Sequence, residues 1–185
     1  MSTFNDSFSG DLSAWTTLSG TWEIVSGALD KTSSSGHEVI EVDSISESEG
    51  TIQVEVESVT NLSGVVFRLQ DVDNYYFASI DGANKVRLSR TIGGVNAYLI
   101  NAAHTFSSGT FYTLKVVYYT VGAGIRIKVY IDDVLKLNYS ESTAAISDAG
   151  KIGCQAYSQN ASFDDISYTS VVAKTDGGAF LMNFI

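Results

Sequence analysis

Apolar and polar residues alternate along almost the whole chain, and glycine, asparagine, aspartate and serine separate the alternating runs. In the run 125–131, isoleucine or valine takes every odd position, and Arg126, Lys128 and Tyr130 take the even ones. A period of two residues is typical of a β-strand with one face against a core. No run has a helical period, although Ser44–Glu49 could form one helical turn. The pattern predicts fourteen strands, near residues 4–8, 21–25, 28–31, 37–42, 51–57, 64–70, 75–80, 85–90, 95–100, 111–119, 125–131, 134–139, 151–157 and 162–168.

Short turn sequences join neighbouring runs. They are Ser26-Gly27, Asp81-Gly82-Ala83-Asn84, Gly93-Gly94, Gly122-Ala123-Gly124 and Asp132-Asp133. Consecutive runs joined in this way form hairpins, and successive hairpins build antiparallel sheets. Because fourteen strands are too many for one flat sheet, we predict an all-β sandwich of two stacked antiparallel sheets.

The same alternation predicts where the cations lie. Six of the 11 lysines and arginines fall on the outward positions of the middle strands, namely Arg68, Lys85, Arg87, Lys115, Arg126 and Lys128. These side chains are either ordinary solvent-facing charges that discourage edge pairing, or part of a basic, aromatic-lined surface for a polar ligand.

The composition narrows the classes of partner. With 11 basic and 21 acidic residues the formal net charge is −10. This charge argues against nucleic acids and anionic membrane surfaces, because like charges repel. No apolar stretch approaches the ~20 residues that a membrane-spanning helix needs. The single cysteine, Cys154, lies in an alternating run, so we expect it to be buried in the core.

The two ends of the chain carry separate predictions. Met1-Ser2-Thr3-Phe4 has no basic or apolar leader, so we expect no signal peptide and synthesis in the cytoplasm. The protein then either stays there or leaves within an assembled particle such as a virion. We place the sandwich at 1–172 and a separate tail at 173–185, which begins with a Gly-containing hinge. The apolar end of the tail either folds back on the domain or docks on another subunit or a second copy, through Phe180, Leu181, Met182, Phe184 and Ile185.

Four stretches resemble, in their order and spacing, the concanavalin A-like lectin/glucanase superfamily, especially its laminin-G-like and bacterial carbohydrate-binding members. They are Phe4–Phe8 with Trp15 and Gly20–Leu29; Gly64–Arg68 with Asp71–Tyr76; Tyr112–Val116 leading into Val129–Asp133; and Gly150–Gly153 with Phe163–Ile166. Together they span residues 4–168. The resemblance implies a jelly-roll sandwich, and glycans often bind such sandwiches on the concave face or at the loop edge.

A glycan is therefore the expected ligand. Sugars stack their apolar faces on aromatic rings, and charged or polar groups orient their hydroxyls. The residues that we expect to bind it are Arg68, Tyr75, Tyr76, Arg87, Tyr98 and Tyr130. The alternative for each tyrosine is packing in the core or across strands.

Catalysis is disfavoured by a missing residue. Similar glucanases carry two catalytic glutamates on one strand, in a Glu-x-Asp-x-(x)-Glu pattern. Glu41-Val42-Asp43 is the nearest match here, and the second glutamate is absent. Glu55 and Glu57 share a strand face without a middle aspartate. His37 and His104 have no spacing typical of a metal site or a catalytic serine, so we expect no enzyme.

Calcium is the candidate ion. Asp6 shares a predicted strand face with Phe4 and Phe8, and Asp165 shares one with Phe163. A carboxylate that points toward apolar neighbours needs a partner. First and last strands are commonly adjacent in such sandwiches, so Asp6, Asp164 and Asp165 could converge on a structural Ca²⁺. The alternative is that Asp6 and Asp164 cap turns through their own backbone.

Two functions remain open and are compatible. The leading hypothesis is a non-catalytic glycan-binding or adhesion module, part of a larger surface or particle assembly. The alternative is a virion structural subunit, such as a phage fibre, tail or decoration protein, docked through its C-terminal tail. A glycoside hydrolase is the least favoured reading.

Overall fold

A computed structural model describes residues 1–33, 36–57, 62–157 and 161–170. The predicted tail at 173–185, with Phe180, Leu181, Met182, Phe184 and Ile185, lies outside these ranges, so its docking stays a prediction. In the described part every regular element is a strand. The strands are Thr3–Asp6 (β1), Trp15–Thr17 (β2), Trp22–Val25 (β3), Ala28–Lys31 (β4), Glu38–Val42 (β5), Gly50–Glu57 (β6), Ser63–Asp71 (β7), Asn74–Asp81 (β8), Lys85–Ile92 (β9), Val95–Ala103 (β10), Phe111–Val121 (β11), Gly124–Ile131 (β12), Val134–Glu141 (β13), Lys151–Ala156 (β14) and Ala161–Thr169 (β15).

The strands form two antiparallel sheets. One has eight strands in the order β13-β12-β11-β6-β15-β4-β3, with β1 paired to β15. The other has seven strands in the order β10-β9-β8-β7-β14-β5-β2. The predicted all-β, two-sheet antiparallel jelly-roll sandwich is therefore confirmed. The predicted pairing of the first and last strands is confirmed too, since Phe4 lies opposite Tyr168.

The core lies between the sheets and contains the inward residues of nearly every strand. Phe67 of the seven-stranded sheet stacks on Tyr76 at 5.6 Å between ring centroids and meets Tyr118 of the other sheet at 4.7 Å. Cys154 is buried with a free thiol, as expected, and burial raises the pKa of that thiol.

Two local predictions were wrong. The three-residue strand β2 was missed because Trp15–Thr17 is too short to show a period. Ser44–Glu49 forms no helical turn; instead Glu47 makes an antiparallel bridge with Gly150, about a hundred positions away in the chain. Pairing with a distant residue therefore sets the conformation of this segment, and the local sequence does not indicate that pairing.

Candidate functional site

The outer face of the seven-stranded sheet, which points away from the core, combines aromatic and hydrogen-bonding side chains. Cross-strand partners share a face, and the register places Ser79 opposite Arg87, Tyr98 opposite Ser89, and Asn96 opposite Thr91. We call this surface the outer face. Its central members are Tyr75, Ser79, Arg87, Ser89, Thr91, Asn96, Tyr98 and Gln155.

Arg87 and Tyr98 form a supported pair on the outer face. The Arg87 guanidinium lies 4.9 Å from the centroid of the Tyr98 ring, and 59% of Tyr98 is exposed. Arg87 Nε donates to Asp81, whose other carboxylate oxygen accepts the amide of Ala83 in the same hairpin. The nearly buried Asp81 therefore holds the guanidinium beside the exposed ring.

Neutral polar groups lie next to this pair. Asn96 Nδ2 is 3.2 Å from Thr91 Oγ1 and 3.4 Å from Ser89 Oγ. Amide and hydroxyl groups of this kind both donate and accept hydrogen bonds. The arrangement can hold a flat, hydroxyl-bearing molecule against Tyr98.

A second group on the outer face centres on Gln155 of β14. Its Nε2 donates to the Tyr75 hydroxyl at 3.2 Å and lies 2.9 Å from His37 Nδ1. The His37 ring meets Tyr157 edge-on, with 5.0 Å between the ring centroids. Desolvation, followed by the positive charge of Lys31, lowers the pKa of His37, so its imidazole is neutral at pH 7.

The outer face is not basic, which corrects part of the sequence-based interpretation. Lys151 pairs with Glu41 at 2.7 Å and lies 3.8 Å from Asp43, while Arg87 pairs with Asp81. Lys85 lies directly opposite Asp81 in the β8–β9 register. Among the described side chains of this face, Arg87 and Lys151 are thus ion-paired, and Lys85 lies opposite the residue whose carboxylate holds Arg87.

Arg68 does not lie on an outward surface, contrary to the prediction. It is 0% exposed and has a φ of 46°. It sits in a β-bulge: three steps along β7, from Val66 to Leu69, match only two along β14. The bulge turns the Arg68 side chain inward. There it donates to Ser48 O at 2.9 Å, Ile146 O at 2.7 Å and Thr120 Oγ1 at 2.9 Å.

The two tyrosines of β8 that we expected to bind a glycan lie on opposite faces of the sheet. Tyr76 points into the core, is 0% exposed and donates to Glu141. Burial, followed by that hydrogen bond, raises the pKa of Tyr76 to about 12. Tyr75 lies on the outer face but is only 4% exposed, with its hydroxyl against Gln155. Tyr76 therefore follows the core-packing alternative and is not available to a glycan, while Tyr75 lies on the outer face with its ring almost fully buried.

Tyr130 lies on the other side of the molecule. It belongs to β12 of the eight-stranded sheet, and its ring is 5.0 Å from Lys115 Nζ. Of the six predicted glycan-binding residues, the outer face thus brings together Tyr75, Arg87 and Tyr98. Whether any of them binds a glycan stays a prediction.

The aspartates proposed for calcium do not fit a calcium site in the described structure. Both carboxylate oxygens of Asp6 already accept hydrogen bonds, from Trp15 Nε1 and from the Phe8 amide, each at 2.8 Å. Asp164 lies opposite Glu55 and accepts the amide of Asp165. Asp165 is exposed rather than on a face with Phe163, because its φ of 46° lies at a register shift.

A polar cavity of about 340 Å³ does lie beside these aspartates, lined by Asn5, Asp6, Ser7, Asp165, Ile166 and Ser167. Even so, no group of three or more histidine, cysteine, aspartate or glutamate side chains comes together as a metal site within the described ranges. The turn-capping alternative fits Asp6, which accepts the amide two residues further on, whereas Asp164 lies within β15 and accepts the amide of the next residue.

Sequence reasoning missed most polar residues of the outer face, namely His37, Ser79, Asp81, Ser89, Thr91, Asn96 and Gln155. The sequence pattern assigned Asp81 only to a turn. The register of β14 against β5 and β7 places Gln155 beside the others. A hairpin pattern does not report which distant strands become neighbours.

The fold is a two-sheet jelly-roll sandwich, as the resemblance implied. The chain belongs to the 3-keto-alpha-glucoside-1,2-lyase-like domain family, whose model matches residues 1–169. No curated protein matches the chain.

Solved structures share this fold at low sequence identity. The carbohydrate-binding module CBM66 from Bacillus subtilis superposes with a TM-score of 0.74 at 22% identity, covering 86% of this chain and 97% of the module. The exoplasmic/lumenal domain of VIP36, solved in a Ca²⁺/Man3GlcNAc-bound form, gives a TM-score of 0.66 at 10% identity, covering 94% and 90%. A xylan beta-1,4-xylosidase from Bacillus halodurans gives 0.64 at 12% identity, and the match covers 90% of this chain but 39% of the enzyme.

The described ranges include no helix with the length and apolar character needed to cross a membrane.

Proposed function

We propose that this domain binds a carbohydrate on the outer face of its seven-stranded sheet, with the Tyr98 ring as the stacking platform. The observation that carries the proposal is the exposed Tyr98 ring beside an Arg87 guanidinium that Asp81 holds in place. A ring that projects from a sheet with its neighbours already oriented loses little freedom when a ligand stacks on it.

The surroundings of Tyr98 suit a sugar. A pyranose or furanose ring presents C–H groups to an aromatic face and hydroxyls at its rim. Asn96, Ser89 and Thr91 supply neutral hydrogen-bonding partners at that rim. Two structures of the same fold support the proposal, because one is a carbohydrate-binding module and the other was solved with a mannose-containing glycan.

The test compares two tyrosines on opposite sheets. The purified domain is first screened on a glycan array, and the best hit is then titrated by calorimetry. Tyr98→Ala should weaken binding by about thirtyfold, which corresponds to the ~2 kcal/mol typical of an interface hot spot. Tyr130→Ala, the matched variant on the eight-stranded sheet, should leave the dissociation constant within about twofold.

Three results would count against this site. An array without hits would remove carbohydrate binding altogether. Equal affinity for the wild type and Tyr98→Ala would remove the outer face. A loss of binding confined to Tyr130→Ala would move the ligand to the other sheet.

Turnover of a keto-glucoside is the second candidate function, and family membership is what favours it. A carbonyl at C3 makes the proton at C2 more acidic. A positioned base can remove that proton while the C1–O bond breaks, and the leaving oxygen takes a proton from water. Glu41 is the carboxylate to examine, because it lies on the outer face, is nearly buried and is oriented by Lys151 at 2.7 Å. Incubation with a 3-keto-α-glucoside should show product release that Glu41→Gln abolishes; no release with the wild type would leave binding alone.

A further inference from the structure

The Gln155 amide has unused hydrogen-bonding capacity in a place where proteins rarely leave any. Gln155 is 1% exposed, and its Oε1 has no hydrogen-bond partner. A buried polar atom without a partner destabilises the folded state, so it calls for an explanation. Its neighbours Tyr75 and His37 both contact Nε2, at the other end of the same amide.

The two ends of the amide are assigned by their neighbours. Nε2 is the end that contacts the Tyr75 hydroxyl and His37 Nδ1, and Oε1 is the end that no donor reaches. In this orientation the free end offers a ligand a hydrogen-bond acceptor.

Exposed rings lie next to the Gln155 amide. His37, which contacts the Nε2 end, is exposed, and it lies in edge contact with Tyr157, which is 36% exposed. Apolar residues Val66 and Phe77 form the floor of this part of the outer face.

The charges of the face favour an uncharged ligand group. Arg87 and Lys151 already hold Asp81 and Glu41. An acidic sugar would have to compete with these carboxylates for partly desolvated cations, which is unfavourable. The groups that remain available for hydrogen bonds are neutral, namely the amides of Gln155 and Asn96 and nearby hydroxyls.

We propose that the free end of the Gln155 amide is a second ligand contact of the outer face and that it selects a sugar unit bearing an uncharged hydroxyl. This inference rests on the carbohydrate binding proposed above. The His37 and Tyr157 rings turn aside to admit the hydroxyl. Gln155 and Tyr98 then contact different units of one oligosaccharide, since they lie on β14 and β10 with three strands between them.

The experiment uses a glycan array that carries neutral and carboxylate-bearing oligosaccharides, followed by calorimetric titration of the best neutral hit. Gln155→Leu should lower the affinity for that hit by about fivefold to tenfold, the range of a lost neutral hydrogen bond. Gln53→Leu, on the eight-stranded sheet, is the matched control and should change it by less than about twofold. Thermal melts of both variants establish that they fold.

The outcomes separate this inference from the proposal that it rests on. Hits confined to carboxylate-bearing glycans would overturn it and leave carbohydrate binding standing. Neutral hits whose affinity depends on Tyr98 and not on Gln155 would do the same. An array without hits would remove both. If Gln155→Leu does not fold, Gln155→Met keeps the length of the side chain without the amide, and unchanged affinity for the neutral hit in that variant would overturn the inference.

Discussion

Each sheet carries a cation–aromatic pair on the side that points away from the core, and the carboxylates that hold the two cations differ in exposure. Arg87 lies 4.9 Å from the Tyr98 ring, and Lys115 lies 5.0 Å from the Tyr130 ring. Asp81, which holds Arg87, has a side chain that is 8% exposed, whereas the partner of Lys115, Asp133, is 80% exposed. A nearly buried carboxylate keeps its hydrogen bonds without competition from water, so we infer that the seven-stranded sheet presents the better-ordered surface.

Removing the two carboxylates gives the largest expected contrast. Asp81→Ala should lower the free energy of unfolding by about 2 kcal/mol, because it removes the partners of both Arg87 and the Ala83 amide. Asp133→Ala should change it by less than about 0.5 kcal/mol, the range of an exposed ion pair. Urea denaturation of the two variants measures both numbers. Equal losses of unfolding free energy in the two variants would contradict our inference that Asp81 holds its cation more firmly than Asp133 does.

Replacing arginine by lysine, or lysine by arginine, in the two pairs should have a smaller effect. We expect it in the affinity for the ligand and not in stability. Arg87→Lys keeps the charge but loses the planar guanidinium that lies beside the Tyr98 ring and bonds to Asp81. We expect the affinity for the best array hit to fall by about threefold to fivefold. Lys115→Arg makes the reverse exchange on the other sheet and should leave affinity unchanged in the same titration. If Arg87→Lys binds as well as the wild type, the planar geometry has no part in recognition.

The fold could be predicted because it follows from repeated local patterns. A period of two residues sorts Ile125, Ile127 and Val129 inward all along β12, and the structure buries them. Tight turns such as Asp132-Asp133, both with positive φ, join the next strand by a hairpin. Each such prediction depends on neighbours in sequence, and each could therefore be made before any pairing was known.

The candidate site was harder to predict because it depends on contacts between distant segments. One extra residue in β7 reverses which face Arg68 and Leu69 occupy, and nothing in the alternation of 64–70 marks it. The Gln155 group joins β14 to His37 and Tyr75, which are 118 and 80 positions away. Aromatic and cationic content could indicate a binding surface, but only strand register shows which of those residues share it.

The smallest expected contrast concerns the two histidines and pH. Desolvation is the largest cause that lowers the pKa of both; beside His37, Lys31 lowers it further, whereas beside His104 the lowering by Lys136 is opposed by Asp132. A histidine whose pKa is lower in the folded chain binds protons more readily when unfolded, so stability falls as the pH drops below about 6.5. His37→Gln should remove part of this fall, a difference of about 2 °C in melting temperature between pH 7 and pH 5.5. His104→Gln should remove less, since Asp132 partly offsets the lowering there. Parallel melts of the wild type and both variants measure the contrast, and a larger effect from His104→Gln would show that folding lowers the pKa of His104 more than that of His37.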